Sequence, residues 1–317
     1  EIKQYSPQYS QKFYNSFSQL LDAFYSEKEN AERIRRNAQD IFKLLYVIIN
    51  RTEKKIALRK KELLNCAEKE KLRIYGELIK ANLYRLSSGM TSFEAENYYD
   101  EALSKITIPL DVALSPAANA EKYFKEYKKS CNAERLLTEL IQKAEADLIY
   151  FNSVLDALSR SQTLAELNEI REELADAGII KSPKNAPKKK KISVEFLEFS
   201  TPNNKKILVG KNNRQNEILS LKTASKQDIW FHTKNIPGSH TVLITDSQSV
   251  SEEDILYTAS VAAYHSKAKA SSSVPVDYTL IKYVKKPSGA KPGMVIYTNE
   301  KTIYVSPTCF KTNLDEM

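Results

Sequence analysis

Lys181-Ser182-Pro183-Lys184-Asn185-Ala186-Pro187-Lys188-Lys189-Lys190-Lys191 is the stretch at which the chain changes its period. It holds two prolines, no apolar repeat and five lysines after Pro183, the composition of a linker. Before it, apolar residues recur at steps of three and four, the spacing of helices; after it they recur at two, the spacing of strands. A length of 317 residues suggests about two domains. The expected fold class is α+β: a long antiparallel helical coiled-coil hairpin with a small knob at its tip, followed by a compact mixed α+β domain.

Working toward the N-terminus, residues 163–180 read as a short helix, with Thr163 and Glu166 as a capping box and Gly178 as its stop. Leu137, Ile141, Ala144, Leu148, Phe151, Leu155 and Leu158 form a seam at alternating steps of four and three. An earlier seam runs through Ile34, Ala38, Ile41, Leu45 and Ile48, slips near Thr52 to Ile56, and resumes as Leu63, Ala67, Ile74, Leu78 and Ala81. Two seams in one chain fold back most simply as an antiparallel hairpin over 26–162. Its arms are 26–86 and 119–158, roughly 90 and 60 Å long at 1.5 Å per residue. The connection, 87–118, is rich in tyrosine and β-branched residues and reads as an ordered knob. Residues 1–25 read as the tail of a preceding helical region. Glu1 in place of Met suggests a piece cut from a longer protein.

Toward the C-terminus, 192–317 reads as the α+β domain. Its strands are expected at 192–199, 206–209, 229–233, 240–245, 276–284, 295–298 and 302–305, with helices at 214–223 and 252–267. The second of these helices is expected to bury Ile255, Leu256, Ala259, Ala262 and Ala263.

Charge divides at the same boundary. Through Pro183 there are 28 basic and 28 acidic residues, and from Lys184 onward 20 basic and 12 acidic, so the whole net charge of +8 belongs to the C-terminal part. No run reaches the ~18 apolar residues of a membrane helix. Cys66, Cys131 and Cys309 are too few and too scattered for a disulfide scaffold or a zinc site, which points to a reducing compartment, the cytoplasm by default.

The densest chemistry is Asp228-Ile-Trp-Phe-His-Thr-Lys-Asn-Ile-Pro-Gly-Ser-His240. In a strand, Asp228, Trp230 and His232 share one face, and Ile229, Phe231 and Thr233 the other. A hydrolase triad of Ser239, His240 and Asp228 is disfavoured, because no nucleophile elbow is present and adjacent Ser-His pairs rarely meet one substrate atom. No ligand set for a metal is completed, and no cofactor is implied. Two readings of Trp230 stand side by side: a core residue with its histidines bonded to backbone, or part of a binding surface. The basic residues around it, Lys205, Lys206, Lys211, Arg214, Lys282, Lys285, Lys286 and Lys291, with Lys234, Lys267 and Lys269, favour a surface that neutralises phosphates. Gly210-Lys211-Asn212-Asn213-Arg214 is like a phosphate loop only in part, lacking the Gly-Lys-Ser/Thr ending. In the helical half, the exposed contact is expected at Asn97, Tyr98 and Tyr99, which could equally pack the knob's own core.

Asp228-Ile-Trp-Phe-His, Ile236-Pro-Gly-Ser-His240, Ala262-Ala-Tyr-His-Ser266 and Val284-Lys-Lys-Pro-Ser-Gly-Ala-Lys-Pro-Gly293 together resemble the C-terminal RNA-binding domain of the NFACT family, the RqcH/NEMF-like factors. Leu72-Arg-Ile-Tyr-Gly-Glu-Leu, Asn97-Tyr-Tyr-Asp100 and Ile108-Pro-Leu-Asp111 are similar to its middle region. The resemblance implies a ribosome-associated quality-control factor without enzymatic chemistry of its own in this chain. Such a factor binds the large ribosomal subunit and tRNA and supports alanine tailing of a stalled nascent chain. It further implies Asp228, Trp230, His232, Gly238, Ser239 and His240 as an RNA-binding signature. Bacterial members are also called fibronectin-binding protein A, so the alternative is a cell-surface adhesin with fibronectin as partner.

Overall fold

The computed structural model describes residues 13–101, 103–181, 194–246 and 248–307. Beyond Lys181, the lysine-rich linker lies outside the described residues. Two compact units divide the chain: Asn50–Leu148, and a second assembled from the chain on either side of it.

Helix α1 (Phe17–Asn65) begins nine residues earlier than the seam suggests, where the Ser16 hydroxyl accepts the Gln19 amide. The expected slip near Ile56 does not interrupt it, and Ile56 is buried. The interruption is a 3-10 turn at Cys66–Glu68, which turns Cys66 rather than Ala67 inward. Helix α2 follows (Lys69–Ala81). The return helix α3 (Pro116–Arg160) starts at a proline, which is pre-set for the first helical turn and has no amide to leave unpaired. Within Asn50–Leu148 the two arms are antiparallel, as the ion pairs Lys60–Glu145 and Lys69–Glu134 show by running in opposite directions. The knob is a hairpin of β1 (Ser92–Glu96) and β2 (Lys105–Pro109). Phe93, Ala95 and Ile108 pack against Tyr75, Leu78, Ile79 and Ala120.

In the other unit, α4 (Leu164–Asp176) is capped by the Thr163 hydroxyl, which accepts the Glu166 amide at 3.2 Å. Glu166 closes the cap onto the amide of Gln162 instead of Thr163, and Gly178 ends the helix at φ +72°. Leu167, Ile170 and Leu174 are buried, and Arg171 reaches Asp40 and the Asn37 carbonyl of α1.

The C-terminal domain is built on a six-stranded antiparallel sheet. Its strands are β3 (Leu197–Ser200), β4 (Lys206–Val209), β5 (Ile229–Thr233), β6 (Thr241–Leu243), β7 (Val274–Leu280) and β10 (Lys301–Val305), in the order β10-β7-β5-β6-β4-β3. A small hairpin of β8 (Val284–Lys285) and β9 (Ile296–Tyr297) stands apart. Both faces of the sheet are covered. On one, Phe231 and Val276 meet Ala259, Val261, Ala262 and Ala263 of α6 (Glu252–Tyr264). Leu256, expected in that face, is exposed, and Val261 takes its place. On the other, Trp230, Leu208 and Val242 pack under Leu219, Ile281 and Val284. Leu219 belongs to a π turn (Leu219–Thr223) that continues the short helix α5 (Asn213–Ile218).

Candidate nucleic-acid interface

The alternation read from Asp228 to Thr233 is the observed one, but its polar-aromatic face is closed. Trp230 is 1% exposed, its ring 4.8 Å from that of Tyr297 and 5.2 Å from that of His240. Among the two readings of Trp230, its burial is that of a core residue, with no free face for a base. Asp228 accepts the amides of Ser225 and Thr245. His240 Nδ1 shares a 2.8 Å hydrogen bond with Ser220 Oγ, while the Ser239 hydroxyl donates to the Gly210 carbonyl at 2.5 Å. Asp228, Ser239 and His240 therefore each face a different partner and form no triad. Gly238 is required by close approach, since a Cβ there would lie 2.8 Å from Thr233 Oγ1 and 2.9 Å from Ser266 Cβ.

The histidines add no charge. Burial lowers the pKa of His232, and burial together with neighbouring His232 takes that of His240 well below the usual value. His265 is pushed down to about 3, by burial first and then by Arg160 and Lys269. Positive potential at this domain therefore comes from lysine and arginine.

Several of the basic residues singled out in the sequence are held within the protein. Lys206 pairs with Glu198, Lys211 with Glu166, Arg214 with Glu172 and Lys286 with Glu217. Lys291 lies 4.5 Å from the Phe151 ring centroid and 4.6 Å from that of Tyr150, and Lys205 reaches Gln248. Lys282 and Lys285 remain exposed and, among the described residues, pair with no carboxylate, although the Lys282 ammonium lies 4.9 Å from the centroid of the neighbouring Tyr283 ring. Two lysines that the sequence reading passed over, Lys222 and Lys226, share this condition. The four come together: the Lys282 amide donates to the Lys226 carbonyl at 3.3 Å, and β8, carrying Lys285, packs against the π turn carrying Lys222. The available signal was their position immediately before the Asp228 motif.

In the unit Asn50–Leu148, Tyr98 and Tyr99 are 51% and 47% exposed, with ring centroids 4.7 Å apart. They are absent from the knob's core. Tyr99 is hydrogen-bonded to Glu77 and lies under the Arg73 guanidinium. Asn97 accepts the Tyr99 amide. Among the described residues no group of three or more His, Cys, Asp or Glu is placed to hold a metal, and no helix is long and apolar enough to cross a membrane.

A sheet domain with an exposed lysine rim, joined to long helices, defines a class of basic binding module. Residues 1–193 match the family described as NFACT N-terminal and middle domains, and residues 195–299 match the NFACT protein RNA binding domain. The chain belongs to the NFACT family. It is 42% identical over 296 residues to the Rqc2 homolog RqcH of Bacillus subtilis (strain 168), which covers 93% of this chain and 51% of the relative. The Rqc2 homolog RqcH of Streptococcus suis (strain 05ZYH33) is 39% identical over 299 residues, covering 94% and 53%. The chain thus spans about half the length of the curated relatives it matches. A solved structure of the C-terminal part of the fibronectin/fibrinogen-binding protein from Streptococcus suis is similar at 34% identity with a TM-score of 0.69. The match covers 87% of this chain and 96% of that one.

Proposed function

We propose that this chain works within a ribosome-associated quality-control factor, in the cytoplasm, where the lysine rim Lys222, Lys226, Lys282 and Lys285 holds an RNA backbone. The observation that carries the reading is that four exposed lysines without a carboxylate partner among the described residues lie on neighbouring segments of the domain that matches an RNA-binding family. Phosphate contacts of this kind position RNA without reading its sequence. The finer expectation is that the RNA is tRNA on a large ribosomal subunit, and that the chain supports alanine tailing by holding RNA rather than by reacting with it. The signature residues Asp228, Trp230, His232, Gly238, Ser239 and His240 then act by shaping the domain that presents the rim. Asn97, Tyr98 and Tyr99 serve as the ribosome-facing contact of the knob.

Titrating the chain with tRNA over a range of salt tests this. Each phosphate contact contributes about 0.7–0.9 to the slope of log affinity against log salt. Replacing all four rim lysines with alanine should flatten that slope by roughly 3 and weaken binding at every salt concentration. An unchanged slope would sink the assignment. The similar streptococcal structure is that of a fibronectin/fibrinogen-binding protein. Binding to fibronectin that survives the rim substitutions, with no RNA binding at low salt, would favour that second reading.

A further inference from the structure

Ile236-Pro-Gly-Ser-His240 and Ala262-Ala-Tyr-His-Ser266 meet at the end of β5 that lies away from the lysine rim. The Ser239 amide donates to the His265 carbonyl at 3.0 Å and the Lys267 amide to the Pro237 carbonyl at 2.9 Å, so the two segments run antiparallel past each other at Gly238 and Ser266. We propose that the cations gathered at this junction, Lys267 and Lys269 beside Arg160, form a second RNA-backbone contact, separate from the rim and on the other face of the sheet. The proposal rests on the RNA-binding reading above and extends it to a second surface.

Arg160, the last residue of α3, is the fixed member. Its Nη1 donates to Ser239 Oγ at 3.1 Å, and its Nε and Nη2 lie 3.0 and 2.9 Å from Asp156 Oδ2. Burial raises the pKa of Asp156, and the charges of Arg160, Lys267 and Lys269 pull against that rise. Three cations therefore stand around one carboxylate, and Arg160 already holds it. Lys267 and Lys269 are exposed and, among the described residues, pair with no carboxylate. Surplus charge of this kind is what a phosphodiester neutralises. A polar atom is left over as well. His265 Nε2 is buried with no hydrogen-bond partner among the described residues, and its ring lies in the field of Arg160 and Lys269. Buried ring nitrogens are ordinarily paired, and a neutral imidazole has one N–H to give to an acceptor oxygen.

The two basic surfaces are distinct. Lys226 precedes β5 and Lys282 follows β7, whose facing ends pair Ile229 with Leu280, whereas the junction follows the opposite end of β5. Five strand residues separate them by roughly 15 Å. Their faces differ too: Ile236 and Ala268 pack into the apolar cluster beneath α6, while Leu219 and Val284, next to the rim, pack with Trp230. One phosphate cannot serve both, so each surface adds its own share to the salt dependence and takes its own stretch of backbone.

The test titrates the full chain with tRNA over a range of salt, comparing the wild type, the pair Lys267→Ala and Lys269→Ala, the four-alanine rim variant and all six substitutions together. The pair should flatten the slope by roughly 1.4–1.8 and the six by about 4–5, the two losses adding. Lys267→Arg with Lys269→Arg should keep the wild-type slope, because the charge is kept. Thermal melting of each variant checks the fold; if the alanine pair melts early, Lys267→Gln with Lys269→Gln replaces it with the same expected slope. A folded pair variant with wild-type slope and affinity, beside a rim variant that loses both, would overturn the proposal, keep the rim, and leave Lys267 and Lys269 as charges that complement the end of α6. Flattening by the pair but not by the rim variant would sink the rim and keep this surface. No RNA binding by the wild type at low salt would remove both.

Discussion

Glu173 is buried to 2% exposure between α3, α4 and α5, with the Asn213 amide donating to it and the Tyr150 hydroxyl beside it. Burial raises its pKa from 4.5 to about 7, against the opposing pull of Asn213, Tyr150 and the backbone and charge of Arg214. The folded state therefore keeps a proton that the unfolded chain has already released. Stability from this group is whole below about pH 4.5, falls as pH rises toward 7, and levels off above. The displacement corresponds to roughly 3 kcal/mol. Glu173→Gln should flatten the decline in denaturant midpoint between pH 4.5 and 7, and at pH 8 the variant should be the more stable protein. A parallel decline in both would show that other groups carry the effect. Trp230 makes a separate prediction. Its ring fills the space between sheet and π turn, so Trp230→Ala should cost about 3–5 kcal/mol of stability. Trp230→Phe should leave RNA affinity intact, as titration would show. A base-stacking Trp230 would instead lose affinity with little change in stability.

At the level of elements, the helical seams and β5 were legible because a buried stripe leaves a period, and Ala38, Ile41, Leu45, Ile141 and Phe151 are all buried as that period requires. The 3-10 turn at Cys66–Glu68 and the π turn at Leu219–Thr223 were not, since neither glycine nor proline marks them. Of the candidate site, the basic character was legible but the pairing was not. Lys211 and Arg214 look like phosphate ligands until α4 is folded beside them and brings Glu166 and Glu172 to pair with them. The knob hairpin carries its own expectation. Glu77 and Arg73 hold Tyr99 with its neighbour Tyr98 half-exposed, an arrangement suited to a docking contact. Replacing both tyrosines with alanine should reduce co-sedimentation with large ribosomal subunits and leave affinity for free tRNA unchanged. Equal loss of both would point to a folding defect.

For the whole molecule, the charge excess from Lys184 onward coexists with a network that ties that region to the preceding helices: Arg160 donates to Ser239 at 3.1 Å, Asn213 reaches Ser153, and Arg214 reaches Glu172. Peptide-bond cleavage between residues 182 and 193 should therefore leave the two fragments together on a sizing column at low salt. High salt should loosen them only in part, because it screens the exposed Arg214–Glu172 pair and not the buried Asn213–Ser153 hydrogen bond. Fragments that part at once would show that the covalent link, not the network, keeps them assembled. The three histidines have one more consequence. All have pKa values displaced downward, so acidification toward pH 6 protonates them less readily than free imidazoles. Acetylation of a rim lysine, which removes its charge outright, should weaken RNA binding as the alanine substitutions do.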